Sequence, residues 1–191
     1  TALSSLVPAV VELNPLLTRV AIHQFGAIYQ NIEDRLTRER GVRTMMTIAS
    51  HLPREIRRTH QITLSLVDAQ ERAQEKMHIH SINVALLTGY IAQKVFPVWP
   101  AFVEAAVIGG LFHDIGKAFF PHGAWDSKGK ILANAAKIMN CHPLLGETLL
   151  KDIGVDDPHI LGAVRSHHEK WDGRGVPDRL GGERIPMAAR I

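Results

Sequence analysis

The chain has 191 residues, 46% of them hydrophobic and 21% charged, which excludes a disordered or fibrous polypeptide and leaves enough apolar side chain for a buried core. Its formal charge of +3 and isoelectric point near 9.2 suit an anionic substrate but fall short of the basic surface that a stable nucleic-acid complex needs. A single cysteine, Cys141, excludes an internal disulfide and fits a reducing, cytoplasmic setting.

Taken in order, the chain opens on an apolar stretch, Ala2 to Leu17, that is broken by Pro8, Glu12 and Pro15 and lacks a basic lead, so it is a poor signal peptide. No apolar run is long enough for a membrane segment. Leu17, Ala21, Phe25, Ile28, Ile32 and Leu36 recur at helical spacing and predict a helix over 16–36. Gly41 and Pro53 punctuate the next stretch, with a shorter helical segment between them. The arginines from Arg35 to Arg58 alternate with acids and lack aromatic neighbours, which reads as a solvated helix face. From Ile62 through Leu66, Ala69, Ala73, Met77, His80, Val84, Leu87 and Ile91 to Val95 the apolar stripe steps by three and four. One long helix, or two nearly collinear ones, from about Ile56 to Val95, with His80 on the buried face, is therefore expected.

Phe96 to Pro100 is a turn, and Pro100 suits the first position of the next helix, whose residues to Phe112 are nearly all apolar or small. Residues 118–130 form a loop in which His122 is an unpaired surface residue. Ile131 to Asn140 reads as helix, ending before His142-Pro143. Leu144 to Ile153 is a short helix closed by Gly154. Asp157-Pro158 opens another, with Ile160, Val164, His167, His168 and Trp171 inward. Cys141 reads as a small buried hydrophobe. No strand-like alternation and no repeats are present, so the fold class is all-α.

The chemistry concentrates in His113-Asp114-Ile115-Gly116-Lys117. Adjacent helical residues diverge by about 100°. The imidazole can take one metal while the two carboxylate oxygens bridge to a second. Lys117 returns to the same face and can meet an anion there. An ordinary His-Asp pair at a helix end is the competing reading of the pentapeptide alone. Imidazole and carboxylate without a thiolate motif argue against structural zinc and for an open site of nitrogen and oxygen donors, suited to iron or manganese.

His80-Ser81, His113-Asp114-x-x-Lys117, His142-Pro143-x-x-Gly146 and His167-His168-Glu169 followed by Asp172-Gly173-Arg174-Gly175-Val176-Pro177 occur in that order. Together they resemble the HD-GYP family, a branch of the HD phosphohydrolase superfamily, over residues 76–191. The resemblance implies an HD-domain helical bundle over 76–191, preceded by an N-terminal helical region, 1–75, for signalling or dimerisation. It implies two divalent ions, iron before manganese. His80, His113 and Asp114 would hold one, and Asp114, His142, His167 and His168 the other. Lys117 would stabilise phosphate charge as a catalytic and substrate-binding residue beside Asp114, and Gly173, Gly175 and Pro177 would form the substrate loop. The implied activity is hydrolysis of cyclic di-GMP to the linear dinucleotide or GMP in bacterial second-messenger signalling. Another nucleotide substrate, or a non-catalytic signalling module, are the alternatives.

Three departures from the family pattern bear on this. Val176 stands where the family reads tyrosine. Lys76 stands where some members carry a glutamate that supports a third metal, so two are expected. The family's aspartate ligand beyond Ile185-Pro186-x-x-x-Arg190-Ile191 has no counterpart here, so the domain is expected to be truncated at its C-terminal end. Diguanylate-cyclase-type signalling proteins are implied as partners. The apolar N-terminal stripe suggests a homodimer through the N-terminal helices, with burial of Leu66 against Ile28 or Ile32 of the same chain as the monomeric alternative.

Overall fold

The computed structural model describes residues 10–11, 15–58, 63–64, 73–120 and 139–191. The described α-helices are α1 (Pro15–Gln30), α2 (Arg35–Arg58), α3 (Ala73–Val95), α4 (Pro100–Phe112), α5 (His142–Asp152) and α6 (Pro158–Ser166). Short 3-10 helices cover Ile115–Phe119, Gly182–Arg184 and Met187–Ala189. The all-α class holds. The expectation of no strands is corrected only by two-residue strands β1 (Val10–Val11) and β2 (Thr63–Leu64), paired parallel with Val10 opposite Thr63.

Helix α4 is the centre of the bundle. Every residue from Phe102 to Phe112 is buried except Glu104, and α2, α3 and α6 all pack on it. Pro100 starts it, as its fixed φ favours. A methyl on Gly109 would stand 2.5 Å from the Ala163 side chain, so the missing side chain is what lets α4 lie so close to α6. One core joins Phe25 and Ile28 of α1, Met45 of α2, Leu86 of α3, Phe112 of α4 and Leu150 of α5. The apolar face of α1 is thus buried within its own chain; Leu66 lies outside the described residues.

Several predicted elements differ in extent. The stripe from Leu17 to Leu36 is divided between α1 and α2, because Asp34 accepts hydrogen bonds from the Leu36 and Thr37 amides and starts α2 afresh, leaving Leu36 exposed. Gly41 and Pro53 do not interrupt α2. Gly41 faces Ile28 so closely that a methyl would lie 2.8 Å from it, and Pro53 sits between the buried Leu52 and Ile56. Packing overrides the local preference at both positions.

The long helix from Ile56 to Val95 is not continuous, since α2 ends at Arg58, Thr63 and Leu64 are extended, and α3 begins at Ala73. Within α3 the buried face is Ile79, Ile82, Ala85, Leu86 and Ala92, whereas His80, Leu87, Ile91 and Val95 are exposed. Two apolar faces compete on this helix, and the one carrying small residues is the one that packs. Cys141 is exposed and Trp171 points outward, correcting both expectations. His122 and most of Ile131 to Asn140 lie outside the described residues.

Two contacts set α5 and α6 against the rest. A methyl on Gly116 would overlap the His142 carbonyl and stand 2.6 Å from the Gly146 amide, so the 3-10 helix and α5 meet backbone to backbone. Arg165 of α6 clamps Asp178 through two hydrogen bonds of 2.7 and 2.9 Å and also donates to Glu147 of α5. Burial alone would raise the Glu147 carboxyl, but hydrogen bonds from Lys151 and Arg165 outweigh it and hold it low. Arg165 lowers Asp178 as well.

Gly116→Ala should therefore destabilise the fold by about 1–3 kcal/mol, as overpacking against fixed backbone does; a urea titration that leaves the midpoint unchanged would contradict the close approach. Arg165→Met should cost about 1–2 kcal/mol at pH 7, less than a fully buried pair because the Arg165 side chain is 34% exposed. Since both carboxyls are depressed in the folded state, their contribution is present above the ordinary carboxylate range and is lost as pH falls through it. The gap between wild type and variant should narrow below about pH 4 in parallel melts.

Candidate metal centre

Asp114 follows the end of α4 with φ −100° and ψ 4°, turning the chain into the 3-10 helix. Its side chain is only 3% exposed and lies among imidazoles. Oδ2 is 3.2 Å from His113 Nε2 and 4.0 Å from His80 Nε2. Oδ1 is 3.1 Å from His142 Nε2 and 3.7 Å from His167 Nε2. The His168 ring packs on both His167 and His142, with centroids 4.2 and 5.0 Å away. Burial opposes ionisation of Asp114, and the Lys117 ammonium 2.6 Å from Oδ2 opposes that cost.

Three of the imidazoles are oriented by one device. His113 Nδ1 meets the Gly110 carbonyl at 2.8 Å, His142 Nδ1 the Met139 carbonyl, and His167 Nδ1 the Val164 carbonyl at 2.9 Å. A carbonyl accepts only, so each Nδ1 carries the hydrogen and each Nε2 turns a lone pair toward Asp114. His142 and His167 then face each other Nε2 to Nε2 at 3.0 Å. With no hydrogen on either, neither can donate to Oδ1, which is buried without a hydrogen-bond donor. Facing lone pairs beside an ionised, donorless oxygen make a set that fits a cation.

Protonation is disfavoured in the same place. Burial lowers His167 and His80, and burial together with the neighbouring His167 and His142 brings His168 down to about 4. Neutral rings are the form that binds metal.

The predicted residues fall into two groups that share Asp114. His80, His113 and Asp114 form one, and Asp114, His142, His167 and His168 the other, with donor atoms within 4.8 Å of one another in each group. The His80 side chain is 56% exposed, and His168, expected inward, is exposed as well. Lys117 joins through Nζ, 2.6 Å from Asp114 Oδ2. Gly173, Gly175 and Pro177 lie in the loop after His168, tied back to it by the Val176 amide on the His168 carbonyl at 3.2 Å. Both glycines serve the loop itself. Gly173 takes φ 74°, and a side chain on Gly175 would overlap the backbone of Glu169. Glu169 also braces the loop, accepting from the Asp178 and Leu180 amides.

Two contributors escape a reading by motif. Tyr29 of α1 donates to the Asp114 carbonyl at 3.0 Å, and His78 is buried against Phe25 and Tyr29. Only the four-residue step from Phe25 to Tyr29 hints that both share one helix face.

Comparison with known proteins gives this geometry a lineage. A "Cyclic di-GMP phosphodiesterase" of Vibrio cholerae is 28% identical over 153 residues, covering 72% of this chain and 31% of its own length. A "3'3'-cGAMP-specific phosphodiesterase" of the same organism is 25% identical over 94% of this chain and 31% of its own. The chain thus spans under a third of the length of these relatives. An HDG"Y"P protein from Bdellovibrio bacteriovorus shares the fold, with a TM-score of 0.67 at 18% identity, over 91% of this chain and 55% of that one. The HD domain family matches residues 77–191, which include every residue of the two histidine groups, and the chain belongs to that family.

Proposed function

We propose that this chain is a phosphodiesterase core of the HD-GYP type that hydrolyses cyclic di-GMP with two divalent ions, iron or manganese. The observation that carries the proposal is the single buried carboxylate with imidazole nitrogens on both of its oxygens. When bound, the ions supply water activation and neutralise charge on the attacked phosphate. The chain's own part is orientation. Asp114 offers one oxygen to each histidine group, and the carbonyls of Gly110, Met139 and Val164 hold Nδ1 of each ring so that Nε2 points inward. Lys117 holds a positive charge beside Oδ2, where it can pass to a substrate phosphate. The exposure of His80 leaves that side open to a ligand.

Relatives named for cyclic di-GMP and for 3'3'-cGAMP both support a cyclic dinucleotide as the substrate class. The second reading, 3'3'-cGAMP, is favoured by the relative that aligns over 94% of this chain. Incubating the manganese-loaded chain with each dinucleotide and resolving the products by chromatography separates the two. Cyclic di-GMP should give the linear dinucleotide or GMP faster than 3'3'-cGAMP is consumed, and the reverse order would reassign the substrate. Turnover of neither, with metal bound, would leave another nucleotide substrate or a non-catalytic signalling module.

Asp114→Ala should abolish manganese binding in calorimetry, because it removes the carboxylate common to both groups. Lys117→Ala should keep or tighten metal binding, since it frees Oδ2, while lowering the hydrolysis rate about 10²–10³-fold. Equal loss of metal in the two variants would contradict these roles.

A further inference from the structure

A buried aromatic group on α1 and α3 abuts the metal centre without belonging to it. Phe25 stacks on His78 with ring centroids 5.4 Å apart and planes within 12° of parallel. Tyr29, one turn further along α1, meets the same imidazole edge-on at 5.1 Å. Phe25 also meets Phe112, the last residue of α4, at 6.4 Å. The group is therefore wedged between the start of α3, which carries His80, and the end of α4, which leads into His113 and Asp114.

Its polar atom is aimed at the centre. The Tyr29 hydroxyl donates to the Asp114 backbone carbonyl at 3.0 Å, and the Lys117 amide donates to that same carbonyl at 2.9 Å. Two donors on one carbonyl use both of its lone pairs and fix the plane of the peptide between Asp114 and Ile115. The direction of the Asp114 side chain is set by that backbone. His78 is 5% exposed, and neither ring nitrogen has a hydrogen-bond partner among the described residues, an arrangement that costs stability and that an apolar ring would avoid. The stack thus favours alignment over stability.

We propose that Tyr29 is a positioning residue for Asp114, and that through it α1 aligns the carboxylate shared by the two histidine groups. This rests on the metal-centre reading above. The contact comes from outside residues 77–191, the span that matches the HD domain family.

Tyr29→Phe tests it, because it removes one hydroxyl and keeps the ring. The Asp114 carbonyl retains the Lys117 amide, so no buried acceptor is orphaned, and the metal-free melting temperature should stay within about 4 °C of wild type. Manganese affinity, measured by calorimetry on the whole chain, should fall about tenfold, as loss of an outer partner of a metal ligand does. The visible absorption of the cobalt-loaded protein should change with it. Ile153→Val is the control, a mild core truncation at the far end of α5, about 16 Å along the helix from His142. It should leave both metal readouts unchanged. Unaltered manganese affinity and cobalt spectrum in Tyr29→Phe would overturn the proposal. So would an equal loss in Ile153→Val, which would mark general softening of the fold. A wild-type chain that binds no manganese would bring down the metal-centre reading and this inference together.

Discussion

A carboxylate kept ionised in the interior is the constraint on which the structure depends. The Asp114 side chain is almost fully out of solvent, and an isolated charge there would cost several kcal/mol. The Lys117 ammonium meets that charge at Oδ2, and the imidazoles around it, which turn lone pairs inward, complete a donor set for a cation, each from a different part of the chain. His80 comes from α3, His113 from the end of α4, His142 from the start of α5, and His167 and His168 from just beyond α6. The packing of α3 and α6 on α4, with α5 set against α6 and the 3-10 helix, is what brings those points together. The backbone approach at Gly116 and the Arg165 clamp hold α5 and α6 where this requires.

Helix ends do much of the orienting. The last carbonyls of a helix have no partner inside it. Gly110 and Val164 are such carbonyls in α4 and α6, and the histidine just past each helix donates Nδ1–H to them. One hydrogen bond satisfies the helix end and selects the tautomer that presents Nε2 to Asp114. The helix termini and the candidate metal centre are thus the same local structure, and neither histidine can be moved by one residue without losing both. His80, inside α3 and without such a bond among those described, is accordingly exposed, its Nε2 4.0 Å from Asp114 Oδ2.

What could be read from the sequence was what depends on local order. Pro100 and Asp157-Pro158 start helices where their backbone preferences put them. The paired histidines and the His-Asp step announced themselves as donors because few other roles call for such residues side by side. Tertiary choices were not legible. The stripe through Leu87, Ile91 and Val95 has faultless helical spacing, yet α3 buries its opposite, smaller-residue face, because Gly89 and Ala92 allow α4 close. The same competition carried His80 to the surface, while the long predicted helix is divided at Thr63 and Leu64, which pair with Val10 and Val11. Tyr29 went unread for a related reason: its partner is a backbone carbonyl 85 residues away, and no spacing rule reaches that far.

The central claim is that one carboxylate joins two cation sites. Anomalous scattering from crystals of the chain soaked in manganese tests it most directly. Two peaks flanking Asp114 are predicted, one toward His80 and His113 and the other toward His142, His167 and His168, each within bonding distance of a different oxygen of that carboxylate. Manganese bound away from Asp114, or no anomalous peak at these histidines in saturated crystals, would contradict the account.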